Sequence, residues 1–188
     1  MSPRRAWYLL AIVLLALVAG CSTTGGRKES AGSGARYGGG YYQDDGPDAN
    51  PPSAAELEAI PDAVPRIEPL AGAANRPYDA LGAHYVPDTA DRPFRQEGVA
   101  SWYGRKFHGA RTSSGERYDM YAMTAAHPTL PIPSYARVTS KVNGRTIIVR
   151  VNDRGPFHSK RIMDLSYTAA FKLGLLGGNG NEFALHCN

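Results

Sequence analysis

Residues 145–165 read RTIIVRVNDRGPFHSKRIMDL, and this stretch decides the fold. It begins as a β-strand: Ile147, Val149 and Val151 alternate with Ile148 and Arg150, and β-branched residues dominate. Asn152-Asp153-Arg154-Gly155-Pro156 then forces a turn, because glycine opens unusual backbone angles and proline removes a donor. A second short apolar run follows, Ile162-Met163-Asp164-Leu165. Two carboxylates, Asp153 and Asp164, therefore stand at the end of one strand and inside or beside the next. A strand that is apolar on both faces is buried, and an ionised carboxylate at its margin costs free energy unless something pairs or uses it. Two readings stand at this point. Arg154 and Arg161 pair the carboxylates as structural salt bridges, or a site uses them.

Working outward, Tyr135 to Val142 and Arg145 to Val151 alternate on either side of Asn143-Gly144, the signal for a hairpin with a type I′ turn. Pro128, Pro131 and Pro133 forbid regular pairing just upstream. Tyr121 to Ala126 reads as a short strand and Gly98 to Gly104 as the first one, with Val99, Ser101 and Tyr103 on one face and Ala100 and Trp102 on the other. A polar, glycine-punctuated loop from Arg105 to Asp119 joins them. Downstream, Ser166 caps a short helix to Leu173 that Gly174 stops, and Glu182 to Cys187 adds a last strand. Several short strands with one helix predict a small closed or nearly closed β-barrel, residues 97–188, large enough for one core.

The first 96 residues have another character. Residues 1–20 carry a positive start, Arg4 and Arg5, and an apolar core from Trp7 to Val18 that is short for a span. Leu17-Val18-Ala19-Gly20-Cys21 resembles a bacterial lipobox, which implies cleavage before Cys21, lipidation of its sulfur and, since Ser22 and not Asp follows, the outer membrane. Several acyl chains hold a protein firmly, each buried CH₂ adding roughly 0.8 kcal/mol. From residue 21 to 96 the chain is rich in glycine and then proline, and it reads as a flexible, disordered tether; ~75 residues of coil would span roughly 45–50 Å.

The formal charge of +4 falls once Arg4 and Arg5 leave, when 19 basic side chains face 17 acidic ones. No Lys/Arg stripe is interleaved with aromatics, so nucleic acid is not an expected partner. If Cys21 is lipidated, Cys187 is left alone and no disulfide is expected. Five scattered histidines show no ligand spacing, so neither a metal nor a cofactor is expected.

Residues 98–104 (GVASWYG), 107–109 (FHG), 112–119 (TSSGERYD), 123–131 (MTAAHPTLP), 151–157 (VNDRGPF) and 164–166 (DLS) occur in an order and at spacings that resemble the rare lipoprotein A family. The resemblance implies a six-stranded double-psi β-barrel, an envelope lipoprotein facing the periplasm, and lytic transglycosylase action on peptidoglycan strands poor in stem peptides. Division or envelope proteins are the protein partners it suggests. Many relatives add a C-terminal glycan-binding repeat; none follows in these residues, so septal targeting by that route is not expected. The family usually closes its barrel with a valine-rich strand where residues 177–188 stand, so closure here is open.

The lytic reaction needs an acid that protonates the leaving glycosidic oxygen, while the sugar's own O6 attacks C1. Hydrolysis typically needs two carboxylates. Glu116, His127, Asp153 and Asp164 are the catalytic candidates. The resemblance ties Glu116, His127 and Asp153 to activity, and double-psi relatives favour the second Asp of the pair, here Asp164. The expected acid is Asp153 or Asp164; Glu116 stabilises positive charge or orients O6, and His127 hydrogen-bonds a carboxylate or a substrate hydroxyl. Trp102 and Tyr103 offer aromatic faces to sugar rings, and alternation puts one in the core and one in the groove. Asn152 and Arg154 are expected to position substrate or carboxylate. Asp119 is a further candidate that also fits a structural turn. Two alternatives to catalysis remain: an expansin-like module that grips glycan without cutting it, and a structural envelope lipoprotein.

Overall fold

The computed structural model describes residues 45–157 and 161–176, and the backbone of 182–187. The signal segment, Cys21, the tether up to residue 44 and the loop 177–181 lie outside these residues.

Six strands close into a barrel in the order β3-β7-β4-β6-β5-β8. They are β3 (Phe94–Trp102), β4 (Thr124–Ala126), β5 (Ser134–Ser140), β6 (Thr146–Asp153), β7 (Arg161–Leu165) and β8 (Glu182–Cys187). Pairs β3–β7 and β4–β6 are parallel, and the other pairs are antiparallel. β8 pairs with both β3 and β5, so residues 182–187 close the barrel that composition left open. Closure leaves no sheet edge exposed to another chain. The burial of β6 follows its alternation: Ile147, Val149 and Val151 are buried in the core while Thr146 is exposed and Ile148 and Arg150 are half-buried.

The β5–β6 hairpin forms where Asn143-Gly144 predicts it, but with a longer loop. The last register pair is Thr139↔Thr146, and Gly144 N–H donates to Ser140 O at 2.9 Å. Gly144 takes φ +73°, whereas Asn143 has no positive φ and so cannot serve a type I′ turn. Its side chain instead accepts from Arg145 N–H and donates to Leu173 O, both at 2.9 Å, tying the hairpin to the helix. That helix, Tyr167–Leu173, starts at Ser166, whose Oγ accepts from Ala169 N–H, and ends at Gly174 in the left-handed region, φ +75°.

Residues 94–96 already belong to β3, and residues 45–93 differ from the tether their composition suggests. They form a strap that runs over the barrel and carries a capped helix and a hairpin. Helix α1 (Ala54–Ala59) has a capping box between Ser53 and Glu56, and it packs against the helix at Tyr167–Leu173, hereafter α2. Strands β1 (Tyr78–Ala80) and β2 (Ala83–Tyr85) pair with each other. Leu57 is 2% exposed and belongs to the barrel's core cluster. Burying such a side chain stabilises by about 1.5–3 kcal/mol.

Ile60, Ala63, Ala71 and Ala74 pack partly buried on the same cluster and Tyr78 and Tyr85 meet Phe157, and hydrogen bonds add further anchors. Asp45 accepts from Gly104 N–H at 2.7 Å and Lys106 N–H at 2.9 Å. Gly46 O lies so close that a Cβ on Gly104 would meet it at 2.3 Å, so only glycine fits there. Asp62 accepts from Ile148 N–H and Ala63 donates to Ile148 O, meeting β6 ahead of its pairing with β4, which starts at Arg150. Asn75 bridges both backbone groups of Ile132. A short apolar alphabet was therefore no bar to order, because polar anchors and backbone bonds share the attachment with these few apolar contacts.

Candidate active site

The parallel and antiparallel partners of β4 build the site. Ala126 is the register partner of Asp153 on one side and of Asp164 on the other, and Ser101 of β3 is the partner of Asp164. Ser101, Asp164, Ala126 and Asp153 thus form one row across four strands. Two strand spacings separate the carboxylate-bearing backbones, roughly 10 Å.

Asp164 is 14% exposed and accepts from Ser101 Oγ and, at 3.0 Å, from Arg161 Nη1. Burial pushes its carboxyl above the ordinary range; Arg161 and Ser101 oppose the rise and the charge of Asp153 adds to it. Asp153 Oδ1 accepts three hydrogen bonds, from Ser113 N–H at 2.8 Å, Ser113 Oγ at 2.7 Å and Arg154 N–H at 2.8 Å. That leaves the lone pairs of Oδ2 for another partner.

Ser113 belongs to the turn Thr112–Glu116, closed by Gly115 N–H to Thr112 O and Thr112 N–H to Glu116 O, with Gly115 at φ +92°. The turn docks on β6 through Ser114 N–H to Asn152 O, which brings Glu116 onto the side chains of Arg150 and Asn152. Glu116 Oε2 accepts from Arg150 Nη1 at 2.8 Å and Asn152 Nδ2 at 3.0 Å while staying 46% exposed. Burial works to raise its carboxyl, but the Arg150 and Asn152 hydrogen bonds outweigh that and hold it below the ordinary range. Asn152 is buried and its Oδ1 has no hydrogen-bond partner among the described residues.

Tyr103 Oη is buried and likewise without a hydrogen-bond partner among the described residues. Burial, then the charge of Asp153, pushes the phenol up, so it stays a protonated donor. Its ring stacks on Tyr118 at 4.0 Å. Trp102 is buried too, edge-on to Tyr167 of α2 at 5.6 Å. The expected division into one core and one groove aromatic does not occur. Both faces of β3 are covered here, Trp102 by Tyr167 of α2 and Tyr103 by Tyr118 and Phe107.

Three other expected contacts lie elsewhere. His127 is 1% exposed; its Nδ1 accepts from Thr129 N–H at 3.1 Å and Leu130 N–H at 2.9 Å, so Nε2 donates to Gln96 Oε1 at 3.0 Å. Both ring nitrogens are engaged, and neither meets a carboxylate. Burial and Arg154 depress its pKa to about 3, so the ring is neutral. Arg154 spends its guanidinium on Ala74 O, Asn75 Oδ1, His127 O and Leu130 O, stapling the strap to the loop after β4. Only its backbone N–H serves Asp153. Asp119 is exposed and accepts from Tyr121 N–H at 2.9 Å, closing a turn, with His108 at 3.8 Å.

The strap adds a residue that sequence reasoning left in the tether. Glu68 grips Arg150 with both oxygens, Nε to Oε1 at 2.8 Å and Nη2 to Oε2 at 2.9 Å. Arg150, then Tyr135, lower its pKa to about 2 against the pull of burial. The one available signal was an isolated acid in a proline-rich run facing no basic neighbour except Arg66.

A protein-family model described as "Lytic transglycolase" matches residues 95–182. Residues 95–182 belong to the rare lipoprotein A-like family. The closed six-stranded barrel is the double-psi barrel of that family. Relatives named "Endolytic peptidoglycan transglycosylase RlpA" include one from Vibrio cholerae, 48% identical over 169 residues, 90% of this chain and 57% of its own. One from Neisseria meningitidis serogroup A is 59% identical over 118 residues, 63% of this chain and 49% of its own. One from Escherichia coli K12 is 47% identical over 114 residues, 61% of this chain and 32% of its own. The chain therefore spans about half, or less, of the length of these relatives. Among solved structures, Streptomyces papain inhibitor is 28% identical, covering 49% of this chain and 94% of its own, with a TM-score of 0.37, a likeness too slight to carry a functional argument.

Proposed function

We propose that the protein is an endolytic peptidoglycan transglycosylase that cuts the β-1,4 bond between N-acetylmuramic acid and N-acetylglucosamine and leaves 1,6-anhydromuramic ends. The observation that carries this reading is the row Ser101–Asp164–Ala126–Asp153, in which the Asp164 carboxyl is pushed up, together with Glu116, whose carboxyl is held down by Arg150 and Asn152 of the strand that carries Asp153. The relatives' printed names point to the same reaction.

Asp164 is the proton donor. A general acid must hold its proton until the transition state, and Asp164 is the carboxyl of this group whose surroundings favour the neutral form. Its proton passes to the glycosidic oxygen as the C1–O bond breaks. Glu116, ionised, stabilises the positive charge that develops at C1 and the ring oxygen. O6 of the same sugar attacks C1, and its proton returns to the Asp153–Asp164 pair, so no water is consumed. Asp153 Oδ2 faces the sugar as a hydrogen-bond partner, and the buried Tyr103 packs behind the site. Asn152 fixes Glu116. His127, neutral and fully engaged, positions the loop behind Asp153, whose backbone O accepts its N–H at 3.0 Å.

Strands poor in stem peptides are the substrate this reading takes. Cys21 is the lipidation site, anchoring the protein in the outer membrane and facing the periplasm, with envelope or division proteins as neighbours. A module that binds glycan without cutting it would need an exposed aromatic platform, and the burial of Trp102 and Tyr103 counts against one formed by this pair. The decisive test is incubation of the full chain with peptidoglycan sacculi and mass spectrometry of what is released. Growth with labelled palmitate, comparing wild type with Cys21→Ser, tests the anchor.

A further inference from the structure

We propose that Glu68, on the strap and outside the family-matched barrel, is a positioning residue for Glu116, acting through Arg150, so that the strap completes the active site. This inference rests on the transglycosylase reading for its kinetic consequence.

Among the described residues, Arg150 is the side chain that touches both carboxylates. It gives Nε and Nη2 to Glu68 and Nη1 to Glu116, each at 2.8 or 2.9 Å. A planar guanidinium gripped along one edge by a bidentate carboxylate presents its remaining donors in a fixed direction. Glu68 is itself held by Tyr135 Oη and by Arg66 Nε at 3.3 Å, and it is 16% exposed. Arg150 is equally covered, at 16%, whereas Glu116 is 46% exposed and sits on a turn. The order of restraint therefore runs from strap to strand to loop: the least covered member depends on the two that are packed. The strap is laid where this matters, because Asp62 and Ala63 bond Ile148 two residues upstream on β6. An interaction that aims a charge at the reacting centre acts in the transition state more than on bound substrate.

The test uses the full chain carrying Glu68→Gln, Glu116→Gln and both together, with glycan cleavage followed across pH. The expected result is a kcat lowered about 10- to 100-fold in Glu68→Gln with KM within about threefold, and no further loss when Glu68→Gln is added to Glu116→Gln. Glu68→Asp, which keeps the charge, restores part of the rate. Removing the Glu68 charge by itself lowers the Glu116 carboxyl, whereas an Arg150 that swings away from Glu116 raises it, so a rise in the Glu116 titration, read directly by carboxyl ¹³C NMR, is the expected sign of the lost Arg150 contact. A purely structural Glu68 would instead lower the unfolding midpoint, leave turnover per folded molecule unchanged and multiply with Glu116→Gln; that outcome overturns the proposal. Should wild type release no anhydro product, the transglycosylase reading fails, and the Glu116 titration in wild type and Glu68→Gln alone decides the coupling: an unmoved or lowered carboxyl rejects it.

Discussion

Asp153 and Asp164, eleven residues apart in the chain, both register on Ala126 from opposite sides of β4. Ala126 sets only a methyl group between them, and each acid has its own set of donors. Both residues are half-buried, and the Asp164 side chain is covered enough for burial to push its carboxyl up. Asp164→Asn is expected to lower cleavage by about 10²–10⁴-fold, the usual worth of a positioned acid. Far-UV circular dichroism and glycan release from the same preparation check it, and a folded variant within threefold of wild type would remove Asp164 from the chemistry.

The two shifted carboxyls set a pH dependence. Glu116 must be ionised and its pKa is lowered, so activity falls on the acid side as pH drops through it. Asp164 must be protonated and its pKa is raised, so activity falls on the alkaline side as pH climbs through it. A bell-shaped kcat profile follows, and Glu116→Gln keeps the alkaline limb while losing the acid one. An alkaline limb unchanged in Asp164→Glu and Asp164→Asn alike would assign it to another group.

His127 makes a prediction about stability. Its folded pKa is about 3 and its unfolded value about 6.5, so between these values the unfolded chain binds the extra proton. Stability is complete above the unfolded pKa and falls as pH drops through this window. Urea unfolding at a series of pH values is expected to show that slope in wild type, and His127→Gln is expected to flatten it between about pH 6.5 and 5. Equal slopes in the two proteins would mean that His127 is not buried neutral.

The strap is expected to be part of the folding unit. Leu57→Ala removes a side chain that is 2% exposed in the core cluster and is expected to cost about 2–5 kcal/mol in denaturant unfolding. A cost under about 0.5 kcal/mol would mean that α1 does not dock in solution.

The barrel was legible because its strands alternate. Ile147, Val149 and Val151 marked the buried face of β6, and Ser166 and Gly174 marked the ends of α2. The acids were legible too, since Asp153 and Asp164 sit at strand margins where an unpaired charge is costly. The strap was not, because a single buried leucine among prolines gives no periodicity, and its other anchors, Asp45, Asp62, Glu68 and Asn75, are the polar residues of any linker. The burial of both Trp102 and Tyr103 escaped for a related reason: alternation puts them on opposite faces of β3 and cannot foresee that Tyr167 covers one and Tyr118 the other. His127 and Arg154 carry chemistry in their side chains, but their partners are backbone groups of loops that alternation cannot place. Arg150 read as the polar interruption of a strand, and its role appears only when the strap supplies Glu68.

The measurement that bears most directly on the central claim is mass spectrometry of the products released by the full chain from sacculi, intact and stripped of stem peptides, with Asp164→Asn and Asp153→Asn alongside. Fragments ending in 1,6-anhydromuramic acid, more abundant from stripped sacculi and absent with Asp164→Asn, are the expected result. Reducing-end fragments would show that water and not O6 attacks C1, and no release by folded wild-type protein would contradict the assignment of an enzyme altogether.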